Sequence, residues 1–232
     1  MLVATGRMFR SVLPYLEEAG IEEPVVCYQG AAVVDPASGT FLLHEPLALD
    51  PARDVIALLT ELGHPPNCYV GDRLYVDRHT EYSRMYADFQ HLPVKEVGDL
   101  VAWLTEAPTK LVAVADPEEI PALRAAVYER FADRVYLTTS LPHLLEIGNP
   151  AASKGSGLAF VAAHLGITLD RIVSFGDGEN DLELIAEAGF GIAVEDANAL
   201  LLERADWVCP SADVEGVATV IDAYLDALDS VS

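Results

Sequence analysis

Two aspartates lie four positions apart in residues 175–181, which read FGDGEND. They follow the apolar run RIVSF, which predicts a buried strand, and precede a helix predicted over 181–188. In an open parallel sheet, ligands bind beyond the carboxyl ends of the strands, where Asp177 and Asp181 fall. Paired carboxylates there suit a hard divalent cation such as Mg²⁺. The alternative is a helix-capping turn, because Asp, Asn and Gly all favour turns.

A lysine stands at the start of the helix predicted over 154–165, in the sequence Ser153-Lys154-Gly155. The helix macrodipole disfavours a cation at that end, where anions bind. Lysine is scarce in this chain, which has only Lys95, Lys110 and Lys154. We therefore expect Lys154 to neutralise a phosphate or the nearby carboxylates, and we expect Lys110→Met to cost far less activity than Lys154→Met. The alternative is a solvated surface lysine.

A third segment, Ala4-Thr5-Gly6-Arg7, also joins a strand to a helix. The residues MLVA predict the end of a buried strand, and a helix is predicted at about 7–19. A hydroxyl beside backbone N–H groups at a helix N-terminus forms a phosphate cradle. By itself the segment is a weak signal, because threonine is a common N-cap and ordinary capping is the favoured alternative.

The elements around these three segments predict an α/β protein with an insert. From about residue 150, strands and helices alternate, which indicates a parallel sheet covered on both faces. The first 47 residues also suggest an α/β layer, with a hairpin formed by AAVVD and TFLLHEPL. Antiparallel signals dominate between these regions. We predict a Rossmann-like core over 1–47 and 148–232, and an α+β cap over 48–147.

Composition restricts the classes of partner and compartment. The net charge of −23, from 37 acidic and 14 basic residues, excludes nucleic acid and anionic membranes as main partners. No apolar run approaches the ~20 residues of a membrane span, and the N-terminus does not resemble a signal peptide. Cys27, Cys68 and Cys209 show no disulfide or zinc spacing, so we expect a cytoplasmic protein. The P-loop, GxGxxG, GxSxG, HExxH and EF-hand patterns are all absent from the sequence.

The ordered set TGR, SKG and GDGEND resembles the haloacid dehalogenase-like (HAD) superfamily of phosphatases, in particular the Cof-type group with a C2B cap. The resemblance covers essentially the whole chain and extends through AGFGIAVEDANALLLERADWV. It implies Thr5 and Lys154 as catalytic residues. It also implies Thr5, Gly6, Arg7, Lys154 and Asn180 as the residues that bind the phosphate of a small phosphorylated metabolite, such as a sugar phosphate.

The same resemblance implies a magnesium site and a covalent mechanism. Asp177 would ligate Mg²⁺, and Asp181 would complete or support the metal site. In the family, an aspartate attacks phosphorus and water then hydrolyses the aspartyl-phosphate. Charge neutralisation by Mg²⁺ and lysine accounts for much of the catalysis.

Two departures from the family pattern affect these expectations. The family often has Asn before Gly in the segment after its second strand, whereas this chain has Gln29-Gly30. The family's first motif, DxDGT, is expected on a strand upstream of TGR, and no Asp-x-Asp occurs in this sequence. We therefore expect the chain as given to lack the nucleophile and the first core strand, and to be inactive. A misassigned start or a truncated chain is favoured over a true pseudoenzyme.

Two competing functions share this fold. One is a catalytically dead HAD-fold protein that binds a phosphorylated ligand or a protein partner. The other is a phosphotransferase such as a sugar-phosphate mutase. Magnesium-dependent hydrolysis of p-nitrophenyl phosphate argues against the first, and release of inorganic phosphate without isomer formation argues against the second.

Overall fold

A computed structural model describes residues 1–230 and confirms the predicted mixed α/β class. The helices are α1 (Phe9–Ala19), α2 (Leu49–Glu61), α3 (Glu81–Gln90), α4 (Leu100–Trp103), α5 (Ile120–Phe131), α6 (Lys154–Leu165), α7 (Leu182–Glu187), α8 (Ala199–Leu202) and α9 (Gly216–Asp229). The strands are β1 (Val25–Cys27), β2 (Ala32–Asp35), β3 (Thr40–His44), β4 (Asn67–Val70), β5 (Arg73–Val76), β6 (Val94–Glu96), β7 (Lys110–Val114), β8 (Tyr136–Thr138), β9 (Leu144–Gly148), β10 (Val173–Gly176), β11 (Phe190–Val194) and β12 (Trp207–Cys209). Within residues 1–230, no helix has the length and apolar character needed to span a membrane.

The C-terminal strands form the predicted parallel sheet. Strands β10, β11 and β12 pair in that order, with Val173 opposite Phe190 and Ile192 opposite Trp207. Helices α7 and α8 pack on one face of the sheet, and α9 covers part of the other. The carboxyl end of β10 opens directly into the GDGEND loop, so the sheet presents that loop at its edge.

The middle of the chain forms a six-stranded sheet in the order β6-β5-β4-β7-β9-β8, which we call the cap sheet. Its pairs are antiparallel except β5 with β6. Because successive side chains in a strand point to opposite faces, Cys68 packs against α2 and α5 while Tyr69 packs toward α1 and β1. The cap sheet therefore lies over the N-terminal part of the chain.

The N-terminal part differs from the layer that the sequence predicts. Strands β1, β2 and β3 form an antiparallel sheet, which includes the predicted hairpin of β2 with β3. The strand predicted over MLVA is reduced to one parallel bridge between Ala4 and Val26. Two backbone bonds hold it, from Val26 N–H to the Val3 carbonyl (2.9 Å) and from Thr5 N–H to the Val26 carbonyl (2.8 Å). One paired neighbour is enough to fix the Thr5 backbone but not to form a ladder.

Candidate functional site

The GDGEND loop is folded by one of its own carboxylates. Asp181 Oδ2 accepts hydrogen bonds from the backbone N–H groups of Asp177 and Gly178, both at 3.0 Å. The Asp181 side chain is buried, whereas Asp177 is exposed at the surface of the loop. The two predicted metal ligands are therefore in different environments, with only Asp177 open to an incoming ligand.

Lys154 lies at the first position of α6 and forms a buried ion pair with Asp181. Its Nζ donates to Asp181 Oδ1 at 2.6 Å, and the two side chains are 9% and 4% exposed. The helix begins with a capping box in which Ser153 and Ser156 exchange side-chain to backbone hydrogen bonds. This cap fixes the backbone from which Lys154 reaches the loop.

The charges of this cluster shift the two aspartates in opposite directions. Burial raises the pKa of Asp181, but Lys154 and the loop N–H groups outweigh it, so its pKa lies below the ordinary value. Partial burial and the Asp181 charge raise the pKa of Asp177, against the opposing effect of Lys154. Asp177 is thus a carboxylate whose negative charge is not fully compensated by the protein.

The Thr5-Gly6-Arg7 segment forms a tight turn at the N-terminal side of α1. The Arg7 N–H donates to Thr5 Oγ1 at 3.1 Å. The Arg7 guanidinium donates to Ser11 Oγ at 3.0 Å and lies over the Tyr15 ring, so both contacts are with residues of α1, which begins two residues later. Among the predicted phosphate-binding residues, Thr5 and Gly6 are held at the turn, while these contacts direct Arg7 along α1.

Gln29 connects this turn to the GDGEND loop. Its Oε1 accepts from Asn180 Nδ2 at 2.9 Å, and both side chains are buried. A Cβ on Gly6 would lie 2.3 Å from Gln29 Nε2, so a larger residue there would displace the Gln29 amide. Gly30 has φ +97°, and a Cβ there would lie 1.8 Å from the Ser153 carbonyl oxygen. The Gln29-Gly30 pair therefore brings the turn, the start of α6 and Asn180 together.

Sequence reasoning missed a second buried ion pair next to this cluster. Lys110 Nζ donates to Glu146 Oε2 at 2.5 Å and to the Gly6 carbonyl at 2.7 Å. Because it contacts Gly6, Lys110 is unsuitable as the comparison residue for Lys154. The sequence contains a signal for this pair, since the apolar run KLVAV carries the positive Lys110 and the apolar run HLLEIG carries the negative Glu146. Lys95, exposed on β6, is the better comparison lysine.

Helix α5 also contacts the GDGEND loop through an ion pair. Both terminal nitrogens of Arg124 donate to the Glu179 carboxylate, at 2.9 and 2.6 Å. This pair is partly exposed, at 37% and 23% for the two side chains. It joins the cap to the rim of the loop, where solvent weakens the interaction.

Comparison with known proteins identifies relatives along nearly the whole chain. A family model described as haloacid dehalogenase-like hydrolase matches residues 1–221. A 5-amino-6-(5-phospho-D-ribitylamino)uracil phosphatase of Bacillus subtilis is 27% identical over 226 residues, which is 96% of this chain and 83% of that protein. A phosphoglycolate phosphatase of Methanothermobacter thermautotrophicus is 37% identical over 114 residues, covering 48% of this chain and 50% of that protein.

Solved structures agree with the fold. A Thermotoga maritima crystal structure has a TM-score of 0.80 and 30% identity, covering 96% of this chain and 84% of that one. A sugar phosphatase of HAD subclass IIB has a TM-score of 0.80 at 19% identity, with coverage of 96% and 84%. These similarities confirm the predicted HAD-type core with an inserted cap.

Proposed function

Because the chain belongs to the haloacid dehalogenase-like hydrolase family, Cof-type, we propose that it is a phosphatase for small phosphorylated metabolites such as sugar phosphates. The observation that carries this proposal is the buried Lys154–Asp181 pair beside the exposed Asp177. A cation fixed next to an accessible carboxylate suits the binding of a phosphoryl group together with a metal ion. The names of the relatives, both of them phosphatases, support the same reaction class.

The phosphate-binding roles follow from which groups can donate hydrogen bonds. Lys154 has further N–H donors beyond the one that Asp181 accepts, and it neutralises phosphate charge. The Thr5 hydroxyl accepts from Arg7 N–H and still has its own hydrogen to donate. The Gly6 N–H and the Asn180 amide complete the proposed set, and Arg7 would have to turn from Ser11 to join it.

Mg²⁺ fits the donors at this site. Asp177 is the carboxylate that would hold it, because its charge is incompletely compensated and it is open to solvent. Both oxygens of Asp181 already accept hydrogen bonds, so Asp181 supports the site by fixing the loop and Lys154. Mg²⁺ commonly uses one or two protein carboxylates together with water and substrate phosphate. When bound, it would neutralise charge on the phosphate.

Among residues 1–230, no group of three or more His, Cys, Asp or Glu side chains is gathered for a metal ion. We therefore propose that affinity for Mg²⁺ depends on phosphate, which would supply the further oxygen ligands. Phosphate and Mg²⁺ should each strengthen the binding of the other, as linkage requires.

Turnover requires a nucleophile, and the sequence contains no Asp-x-Asp pair. Asp181 and Glu146 are buried in ion pairs, and Glu179 is paired with Arg124. We propose that these 232 residues bind phosphate but hydrolyse phosphate esters very slowly, because direct attack by water replaces the covalent route. The alternative, a binding protein without activity, is favoured by the same missing motif.

The experiment is p-nitrophenyl phosphate hydrolysis with Mg²⁺, run beside inorganic phosphate binding. The proposal predicts phosphate binding without turnover for the 232 residues, and turnover when an N-terminal segment with a DxDGT strand is added. Phosphate binding with no turnover in either form favours the binding protein. Rapid turnover by the 232 residues alone would show that the nucleophile is wrongly assigned, and absence of phosphate binding would refute the site.

We further propose that residues 1–47 and 148–232 form the core and 48–147 the cap, which would close over the substrate.

The buried free thiols of Cys27, Cys68 and Cys209 support a reducing compartment, and we propose the cytoplasm.

A further inference from the structure

The Lys110–Glu146 pair is sealed inside the protein. The two side chains are 3% and 5% exposed and lie on the adjacent strands β7 and β9 of the cap sheet. Removing two charges from water is costly, and apolar residues of similar volume often replace such a pair without loss of stability. Stability alone therefore does not account for this pair, and its contacts indicate a second role.

Lys110 is held as a cation and directed at one backbone carbonyl. Burial lowers its pKa, but the combined effect of Glu146, Tyr86 and Cys27 outweighs burial, so the pKa lies above the ordinary value and the ammonium stays protonated. Its Nζ lies 5.1 Å from the centre of the Tyr69 ring and donates to the Gly6 carbonyl at 2.7 Å. A charge-assisted hydrogen bond of this kind is stronger than a neutral one.

Fixing the Gly6 carbonyl fixes the turn that contains Thr5. The peptide plane between Gly6 and Arg7 is rigid, so its C=O and N–H point in opposite directions. With Lys110 on the carbonyl, the Arg7 N–H is directed away from Lys110 and donates to Thr5 Oγ1 at 3.1 Å. Lys110 thereby sets the orientation of the Thr5 hydroxyl without touching it.

Glu146 orients a side chain that contacts the GDGEND loop. Its Oε1 accepts from Gln29 Nε2 at 2.7 Å and also from Ser140 Oγ. An ionised carboxylate only accepts hydrogen bonds, so it fixes which end of the Gln29 amide faces it. The Gln29 oxygen then faces the opposite way and accepts from Asn180 Nδ2 at 2.9 Å. The orientation of the Asn180 amide is thus determined by a charge in the cap sheet.

We propose that Lys110 and Glu146 are positioning residues that align the two phosphate-binding loops, Lys110 through Gly6 and Glu146 through Gln29. This inference rests on the proposed function, since it concerns the same phosphate site. The pair couples the cap sheet to Thr5 and Asn180 through one continuous set of hydrogen bonds.

The test uses the double variant Lys110→Met/Glu146→Gln, which removes both charges together and leaves no unpaired ion. Its matched control, Lys95→Met/Glu96→Gln, makes the same substitutions on the exposed strand β6. Binding of inorganic phosphate with Mg²⁺ is measured by calorimetry. Amide hydrogen exchange of Arg7 and the midpoint of thermal unfolding are measured without phosphate.

We expect the double variant to bind phosphate roughly tenfold more weakly or worse, by analogy with partners that orient ligating residues. Exchange at Arg7 should be faster, while the thermal midpoint stays close to that of wild type. The control should match wild type in all three. Unchanged phosphate affinity and unchanged Arg7 exchange in the double variant would overturn the inference.

Gln29→Leu tests the connection through Glu146 separately from the connection through Lys110. It also tests the inference if the double variant does not fold. It breaks the connection to Asn180 but leaves Lys110 on Gly6, so phosphate affinity should fall while Arg7 exchange stays as in wild type. Unchanged phosphate affinity in Gln29→Leu would contradict the proposed role of Glu146. If wild type binds no phosphate, or if Lys154→Met binds it normally, the proposed function is refuted. In that case the amide hydrogen exchange of Arg7 alone tests whether Lys110 and Glu146 position the turn.

Discussion

The molecule contains two buried lysine–carboxylate pairs that are nearly identical as pairs and differ in their surroundings. Lys154–Asp181 lies in the C-terminal α/β segment and Lys110–Glu146 in the cap sheet, with separations of 2.6 and 2.5 Å. The first adjoins the exposed carboxylate of Asp177, and the second is enclosed by aromatic rings and apolar strands. We call Lys154–Asp181 the open pair because the exposed Asp177 adjoins it, and we propose that this access decides the role: the open pair takes part in ligand binding, whereas the enclosed pair holds neighbouring groups in place.

The largest expected effect is on stability, from breaking the enclosed pair on one side. Glu146→Ala leaves the Lys110 ammonium buried without its carboxylate, which should cost about 3–5 kcal/mol of unfolding free energy. Urea denaturation measures this cost. Glu96→Ala on exposed β6 is the control; it loses an exposed hydrogen bond from the His79 N–H, so its cost should stay below about 1 kcal/mol. A loss below about 1 kcal/mol for Glu146→Ala would show that solvent reaches Lys110 and that the two pairs are not different in kind.

The next effect concerns the open pair and its neighbour. Asp177→Asn should weaken Mg²⁺ binding in the presence of phosphate at least about tenfold, since a hard cation loses an anionic ligand. The metal-free protein should not lose stability, because burial and Asp181 already disfavour the Asp177 charge. Titration calorimetry and thermal unfolding report the two quantities, with the exposed Asp196→Asn as the control. Equal Mg²⁺ affinity in Asp177→Asn and wild type would remove Asp177 from the site.

The two regions should also respond differently to pH. The pKa of Asp181 is lowered, so its ionised form stabilises the fold above the unfolded pKa of about 4, and this stability is lost as pH falls through the lowered value. At the β4–β5 turn of the cap, burial raises the pKa of Asp72 despite the hydrogen bond from Tyr28 and the charge of Arg10. Stability contributed by Asp72 therefore falls as pH rises from about 4 through its raised pKa.

Stability measured from pH 2 to 7 tests this contrast. Relative to wild type, Asp181→Asn should be increasingly unstable as pH rises above the lowered pKa of Asp181. Asp72→Asn should become relatively more stable over the range in which Asp72 ionises. Parallel curves for the two variants would contradict the assigned directions.

The smallest effect is expected at the rim of the loop. Arg124→Gln removes the ion pair with Glu179, but both side chains are partly exposed, so the cost should be below about 1 kcal/mol. Thermal unfolding measures it, and Arg134→Gln, which loses a more exposed pair with Asp54, serves as the control. A cost comparable with that of Glu146→Ala would mean that the rim pair also is effectively buried.

Local patterns explain most of what the sequence predicts correctly. The strand, glycine loop and helix around Asp177 are adjacent in the chain, so apolar periodicity and turn residues place the GDGEND loop at a strand end. The alternation after residue 150 identifies the parallel sheet for the same reason. The helix beginning at Lys154 is confirmed, with the Ser153 cap that its sequence indicates.

Long-range pairing explains what the sequence analysis missed. The contact of Lys110 with Gly6 joins residues 104 positions apart, and it depends on which face of β7 turns toward the turn at Gly6. The partner of Gln29 depends equally on the register of β9 against β7. No local pattern specifies either, although a charge within an apolar strand signals that a partner is needed. The prediction of a strand at MLVA is wrong, because this segment pairs with β1 only through a single bridge between Ala4 and Val26.

The central claim is that the open pair binds phosphate, and calorimetric titration of inorganic phosphate in the presence of Mg²⁺ tests it most directly. Wild type, Lys154→Met and Lys95→Met are compared at one pH and one salt concentration. The account predicts Mg²⁺-dependent binding by wild type and by Lys95→Met, and loss of that binding in Lys154→Met. Equal phosphate affinity in Lys154→Met and wild type would contradict the account.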